Sequence, residues 1–351
     1  MSYWYGIPGY PSNIVAIRSE HKKIGNLKLI KFEDIDKNLL LTISFQFKTN
    51  NWPKKAQLEK SWKRWGFCNV EPDSRLVYFK FPLGPVRFKL MLGDLHSNNP
   101  SFAVNPLYWR LTFNIGTALS PYYVHLRDII TMNLLDKGYL TLHGSCLCTA
   151  SGEACLIVAP PETGKTITAL YGQQLGYGLL SEDLVVSDGI NILPSLISGQ
   201  QVYSPAFLNM QKGLKAKIKR VSANMIERTG LAYPGLLAKI GGSIIPPPYN
   251  KPVKLTHIFF LARGPRSMVT PMKPDDSLAK LLIIDRGEFH WRSNPVLLAY
   301  DYHTMLLDIP SILRKEDALL HTVAEKGKNC YQLEAPNPYE YIKLIQEIFP
   351  L

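Results

Sequence analysis

The residues from Ala159 to Thr166, APPETGKT, constrain this chain more than any other stretch. They fit a phosphate-binding loop at every position except the first, where Ala159 replaces the usual glycine. An apolar run from Ala154 to Val158 precedes the loop and predicts a buried strand, and residues 167–174 predict a short helix. A strand, a tight loop and a helix are the setting in which this motif binds phosphate.

Such a loop binds polyphosphate because its backbone N–H groups point inward and the following helix adds the positive end of its dipole. Lys165 would reach the β- and γ-phosphates, and the Thr166 hydroxyl would ligate Mg²⁺. Gly164 would let the backbone approach a phosphate where a Cβ would clash. A chance GKT string in an ordinary strand–helix turn is the competing interpretation. The expected cofactor-binding residues are Pro161, Glu162, Thr163, Gly164, Lys165, Thr166 and Ile167.

Polar residues follow two further predicted strands. Residues 178–186 predict a strand leading into the acidic pair Glu182 and Asp183. Carboxylates at that place suit a nucleotide-bound Mg²⁺ or the activation of an attacking hydroxyl, whereas a solvent-exposed turn is the alternative. His143 follows a predicted strand at Tyr139–Leu142, and it would either face a phosphate or bond to the backbone structurally.

Composition narrows the class of protein. The chain has 351 residues, and 46% of them are apolar, which predicts one large elaborated domain or two domains. A net charge of +12 favours an acidic or phosphorylated partner, which could be a nucleotide, an anionic protein, nucleic acid or a membrane surface. The densest basic run, residues 212–220, fits a solvated helix face as well as a binding site, and it lacks the interleaved aromatics that would favour nucleic acid.

Membrane-span length and cysteine spacing indicate where the protein is located. No segment approaches the length of a membrane span, and the five cysteines are scattered without metal-ligand spacing. A cytoplasmic location is therefore expected.

The pattern of the chain predicts a domain boundary near Pro121. Residues 1–122 are expected to form a β-rich α+β domain that could recognise a substrate or partner, with a strand at 39–47 and a hairpin built from 76–81 and 86–92. Residues 123–351 are expected to form the nucleotide-binding catalytic domain. Its other predicted elements are helices at 124–136, 276–284, 297–307 and 337–348 and strands at 254–263 and 330–333. Residues 194–251 are expected to form a less regular, mobile segment. In this segment, Glu227 and Arg228 would either face the site or form a surface pair.

This order of elements resembles the HPr kinase/phosphorylase family. The resemblance rests on the strand ending at His143-Gly144, the phosphate loop and its helix, and the strand ending in the acidic pair. The segments 252–261 and 331–336 add to it, so that it covers about residues 125–351. It implies an α/β fold, namely an HPr kinase C-terminal or phosphoenolpyruvate carboxykinase-like phosphate-loop domain.

The resemblance also implies chemistry. Members transfer the γ-phosphoryl group of ATP to a serine hydroxyl, and their histidine, matched by His143, lies near the transferred phosphate. Glu182 and Asp183 stand where the family has paired aspartates, one of which accepts the hydroxyl proton while the other supports Mg²⁺. The expected catalytic residues are His143, Lys165, Glu182 and Asp183, and the expected metal ligands are Thr166 and Asp183.

The sequence departs from the family at Ala159 and Glu182, and residues 227–231 only faintly echo the signature that recognises HPr. The chemistry is therefore expected to carry over, but HPr as the substrate is not. The expected function is an ATP- and Mg²⁺-dependent kinase for serine of a peptide or protein. Alternatives are a kinase of a small-molecule alcohol, an inactive nucleotide-binding regulatory module, an ATPase or carboxykinase-like enzyme, and a nucleic-acid binder. A homo-oligomer is compatible with the resemblance.

Overall fold

The structure is a computed structural model, in which the chain folds as a mixed α/β protein, as predicted. Its description covers residues 2–7, 9–20, 30–32, 39–47, 60–61, 65–71, 74–83, 86–108, 125–197, 251–327 and 329–351. The chain divides into two compact units, Met1–Thr141 with Arg286–Leu319 and Leu142–Asp285 with Leu320–Leu351. The division into domains at residues 1–122 and 123–351 stays a prediction.

The predicted helices are all present in the described part of the chain. Residues 124–136, 276–284, 297–307 and 337–348 correspond to α2, α4, α5 and α7 in the list that closes this paragraph. Gly138, with φ 82°, ends α2 as predicted, and Met305, with φ 55°, ends α5 earlier than predicted. The helices are α1 Pro106–Tyr108, α2 Arg127–Asp136, α3 Lys165–Gln174, α4 Pro274–Glu288, α5 Pro295–Thr304, α6 Ile309–Lys326 and α7 Pro338–Ile348.

A nine-stranded sheet forms the body of the first unit in the described residues. Its strands are β1 Tyr3–Gly6, β2 Val15–Ser19, β3 Ile30–Phe32, β4 Leu41–Phe47, β5 Lys60–Ser61, β6 Trp65–Glu71, β7 Ser74–Leu83, β8 Val86–Gly93 and β9 Ser101–Val104. Their order is β3-β1-β2-β4-β9-β8-β7-β6-β5. The predicted strand at 39–47 is β4, and the predicted hairpin is the antiparallel pair β7–β8, in which Leu83 lies opposite Val86.

A buried polar cluster joins α2 to the residues around α5 in this unit. Asn294 Nδ2 donates to Asp128 Oδ2 at 2.8 Å, and Arg127 Nη1 donates to Glu288 Oε1 at 2.6 Å. His125 is also buried, and that burial lowers the pKa of its imidazole to about 4. Desolvation likewise raises the pKa of Asp128.

Because of His125, the free energy of unfolding is expected to decrease as the pH is lowered. The unfolded histidine titrates near its ordinary pKa of 6.5, whereas the folded one stays neutral down to about 4. The unfolded state therefore binds the proton first, and about 2 kcal/mol is lost between about pH 8 and pH 5. Urea unfolding across this range should show that loss reduced in His125→Gln but kept in His321→Gln, which changes an exposed histidine. An equal change of unfolding free energy with pH in wild type, His125→Gln and His321→Gln would contradict the assignment to His125.

An eight-stranded sheet forms the second unit in the described residues. The strands are β10 Leu140–Cys148, β11 Glu153–Val158, β12 Gly178–Ser181, β13 Leu184–Ser187, β14 Asn191–Leu193, β15 Val253–Arg263, β16 Met268–Pro271 and β17 Asn329–Ala335. Their order is β11-β10-β13-β14-β15-β17-β16, with β12 beside β10. Because β11 also pairs with β15, the strands β11, β10, β13, β14 and β15 close on themselves.

Helices α3 and α7 cover one face of this sheet. Phe259 and Leu261 of β15 pack there with Ala169 of α3 and with Tyr341 and Ile345 of α7. The central strands β11, β15 and β17 run parallel, so their carboxyl ends meet at one edge of the sheet. Within the described residues, no helix is both long and apolar enough to cross a membrane.

Candidate functional site

The loop from Ala159 to Gly164 connects β11 directly to α3. β11 is buried from Ala154 to Val158, as its apolar sequence predicts. Ala159 is buried and does not have a positive φ, so this position has no need of glycine's conformational freedom. The replacement of the usual glycine is therefore compatible with the loop conformation.

Lys165 directs its ammonium into the curve of the loop. Its Nζ donates to the Ala159 carbonyl at 2.6 Å and to the Pro160 carbonyl at 3.2 Å, and only 6% of the residue is exposed. The Thr163 hydroxyl donates to the same Pro160 carbonyl at 2.9 Å. A fixed positive charge therefore lies within the loop that the sequence assigned to phosphate.

Two left-handed residues give the loop its shape. Glu162 has φ 64° and Gly164 has φ 115°. The Glu162 carbonyl accepts a hydrogen bond of 2.8 Å from Arg263 Nη2 at the end of β15. A Cβ on Gly164 would lie 2.7 Å from Cγ of Pro338, the first residue of α7. The sequence assigned Gly164 to phosphate approach; the structure adds a backbone reason and a packing reason.

The first turn of α3 has no side-chain cap. Its N-cap is Gly164, which offers no side chain to the first N–H groups of the helix, and those groups have no partners within the helix. Thr166 is partly exposed, whereas the Ile167 side chain is buried. Ile167 can therefore contribute to a ligand only through its backbone N–H. Pro161 and Glu162 are exposed.

The sheet brings His143 and the acidic pair to the same edge as the loop. In the antiparallel pair β10–β11, Gly144 lies opposite Val158, the last strand residue before the loop. The Gly144 N–H donates to the Asp183 carbonyl at 3.1 Å. The Ser145 hydroxyl, which sequence patterns did not single out, donates to the Glu182 carbonyl at 2.5 Å.

The two carboxylates differ in environment. They occupy the bend between β12 and β13, so the single strand predicted at 178–186 is divided into two strands at the acidic pair. Glu182 is only 6% exposed, while the Asp183 side chain is 45% exposed. His143 Nδ1 lies 3.6 Å from Asp183 Oδ1, close enough for an ion pair when the imidazole is protonated. Asp183 is therefore the member of the pair that faces both His143 and solvent.

The donor set fits Mg²⁺ bound together with phosphate. Mg²⁺ uses one or two carboxylates, waters and substrate phosphates rather than an all-protein cage. Thr166 would supply a hydroxyl and Asp183 a carboxylate. Among the described residues there is no group of three or more His, Cys, Asp or Glu side chains that could hold a metal. The oxygen ligands favour Mg²⁺ over a metal that prefers nitrogen or sulfur.

Other basic and charged residues lie in different parts of the chain. Arg263 contacts the loop, and Arg266 is exposed shortly after it. The basic run at 212–220 and the segment 227–231, with Glu227 and Arg228, lie outside the described residues.

Neither a comparison with protein families nor a search of curated proteins finds a match to this chain.

Gly164→Ala should destabilise the protein more than an ordinary glycine substitution at positive φ. The positive φ costs an alanine about 1–2 kcal/mol, and the clash with Pro338 adds about 1–3 kcal/mol of overpacking. Gly152→Ala is the matched control, because Gly152 has φ 83° and no heavy atom within 4 Å of its added Cβ. Urea unfolding should therefore show a larger loss of unfolding free energy for Gly164→Ala than for Gly152→Ala. Adding Pro338→Ala to the Gly164→Ala variant should recover part of that loss. Equal losses at the two glycines would contradict the packing role.

Proposed function

We propose that this chain is an ATP- and Mg²⁺-dependent kinase that transfers the γ-phosphoryl group to a hydroxyl, with serine of a peptide or protein as the acceptor. The observation that carries the proposal is the Lys165 ammonium inside the loop, at the sheet edge that also holds His143 and Asp183. The resemblance to the HPr kinase/phosphorylase family, and to its C-terminal phosphate-loop fold, supports the same chemistry.

The loop and α3 would bind the nucleotide. Backbone N–H groups at the helix start and the Lys165 ammonium are donors that suit the β- and γ-phosphates. Mg²⁺, held by Thr166 and Asp183, would neutralise part of the phosphate charge when bound. Arg263 keeps further N–H donors beyond the one used on Glu162, and its exposed guanidinium could contact the same phosphates.

The acceptor would be activated on the His143 side of the site. Phosphoryl transfer passes through a loose transition state, so positioning and charge stabilisation matter most. The proton leaving the hydroxyl would pass to the His143–Asp183 pair, whose carboxylate is exposed. We therefore assign contact with the acceptor to Asp183 and a positioning role to Glu182, whose side chain is buried.

A nucleotide-binding module without transfer activity is the second candidate. It is favoured by the departure of the acidic pair from the family, because Glu182 replaces an aspartate and is only 6% exposed, which would leave Asp183 alone to serve both Mg²⁺ and the acceptor. Such a module would bind ATP in the loop as the kinase does. The two functions differ only in whether phosphate reaches an acceptor.

A transfer assay decides between these functions. The protein would be incubated with γ-labelled ATP and Mg²⁺, together with serine-containing peptides in one arm and small-molecule alcohols in the other. Label on a peptide serine supports the proposal, and label only on an alcohol changes the acceptor class. ATP binding without label on any acceptor favours the regulatory module.

A cytoplasmic location belongs to the same proposal. ATP and Mg²⁺ are available there, and thiols remain reduced. The cysteines Cys146, Cys148, Cys155 and Cys330 are free and buried. For Cys146 and Cys155, burial raises the pKa of the thiol well above its ordinary value, which makes both groups unreactive.

A further inference from the structure

A cavity lies at the end of the central strands opposite the phosphate loop. Its volume is about 420 Å³, within the size range of small-molecule sites. Its lining includes Glu153, the first residue of β11, and Asn329, the first residue of β17. The loop follows Val158 at the other end of β11, roughly 16 Å away along the strand. The cavity is therefore separate from the candidate nucleotide site.

A bulge in β15 shapes this cavity. Ala154 of β11 pairs with Leu255, but the next residue of β11, Cys155, pairs with His257. Thr256 is the extra residue, and both Thr256 and His257 line the cavity. Bulges redirect side chains and recur next to functional sites. The bulge thus places two consecutive polar side chains at one cavity.

These polar side chains form a fixed floor. Asn329 Nδ2 lies 3.2 Å from His257 Nε2, and Thr256 Oγ1 lies 2.9 Å from His257 Nδ1. The Thr256 hydroxyl donates to the Ala154 carbonyl at 3.3 Å, so it accepts from Nδ1–H while Nε2 accepts from the amide. Burial lowers the pKa of His257, which keeps this neutral arrangement at neutral pH. The floor is therefore preorganised and uncharged.

The charges of the cavity are mainly positive. Lys254 and Lys326 contribute two ammonium groups, against the single carboxylate of Glu153. Within the part of the chain that the structure describes, neither lysine has a carboxylate oxygen within 4 Å. Ile190, which is 43% exposed, supplies an apolar wall. Two lysines, polar donors and an apolar wall suit a doubly charged anion on a small organic body.

We infer that this cavity is a binding site for a small phosphomonoester, whose phosphate is held by Lys254 and Lys326 and whose body packs on Ile190. The second amide N–H of Asn329 would be a further donor to the phosphate, while Lys254 also offsets the charge of its cross-strand partner Glu153. The site does not depend on the proposed kinase activity, because no residue of the loop takes part in it.

Phenyl phosphate is a suitable probe, since it joins a phosphate dianion to an apolar ring. Isothermal titration is expected to show saturable binding with a Kd at or below about 1 mM. The double variant Lys254→Gln/Lys326→Gln should weaken the binding of phenyl phosphate by about tenfold or more. Ile190→Trp, at an exposed position of the wall, should block the cavity without changing charge. Inorganic phosphate should bind more weakly than the probe because it lacks the ring.

Two controls separate this site from general attraction to a basic protein and from the phosphate loop. Lys273→Gln/Lys343→Gln removes two exposed lysines outside the cavity and should change the Kd less than about twofold. Lys165→Ala should leave phenyl phosphate binding intact. The inference is overturned by an absence of saturable binding, by binding that both cavity variants retain, or by binding that Lys165→Ala abolishes. The last outcome would assign the phosphate to the loop and leave the proposed function standing.

Discussion

Lys165→Ala is expected to lower the affinity for ATP with Mg²⁺ by about 100-fold or more, which corresponds to roughly 2.7 kcal/mol or more. The Lys165 ammonium is only 6% exposed and lies against the loop carbonyls of Ala159 and Pro160. It is thus preorganised for a polyphosphate in the loop, and alanine cannot replace its charge. Isothermal titration of ATP with Mg²⁺ into wild type and variant measures the difference.

The control for this experiment is Lys343→Ala, which removes an exposed lysine on α7 and should leave ATP affinity unchanged. Thermal unfolding of each variant checks that the loss is local, because Lys165 also bonds to the loop itself. Equal ATP affinity in wild type and Lys165→Ala would exclude the loop as the nucleotide site. Failure of wild type to bind any of several nucleotides would contradict the proposed function directly.

Local sequence was sufficient for the strand, loop and helix around Lys165. The apolar run before the loop is buried, the helix follows the loop, and the acidic pair lies at the end of β12. These features depend on residues adjacent in the chain, so patterns of hydropathy and turn residues report them directly. The strands β15 and β17 and the hairpin β7–β8 were predictable for the same reason.

Tertiary contacts account for what the sequence could not show. The approach of Pro338 to Gly164 and the bond from Arg263 to the loop join residues far apart in the chain. Helix α6 was not among the predicted helices, although its apolar positions recur at helical spacing. The bulge at Thr256 is invisible in a run that alternates like a regular strand.

Burial distinguishes Glu182 from Asp183, which the sequence had placed together as one acidic pair. Both residues lie in the bend between β12 and β13, and only the fold decides which one faces the interior. Here Glu182 is buried and Asp183 is the residue near His143. That difference supplies the most direct test of how the proposed site would work.

Asp183→Asn is expected to reduce phosphoryl transfer by about 100-fold or more, because the variant keeps the shape of the side chain but loses its charge. Glu182→Gln should cost no more than about tenfold, since a positioning residue acts only indirectly. Initial rates with γ-labelled ATP and the acceptor found in the transfer assay measure both. Asp317→Asn, at an exposed position on α6, is the matched control and should retain full activity.

The Mg²⁺ dependence of Asp183→Asn separates the two roles proposed for this carboxylate. If Asp183 mainly holds the metal, the variant needs more Mg²⁺ and recovers activity as Mg²⁺ rises. If it mainly acts with His143 on the acceptor proton, saturating Mg²⁺ leaves the deficit and changes the pH profile of the rate. A larger loss in Glu182→Gln than in Asp183→Asn would return acceptor activation to Glu182. In that case the buried carboxylate must become accessible during turnover, because a general base has to lie within hydrogen-bonding distance of the proton that it accepts.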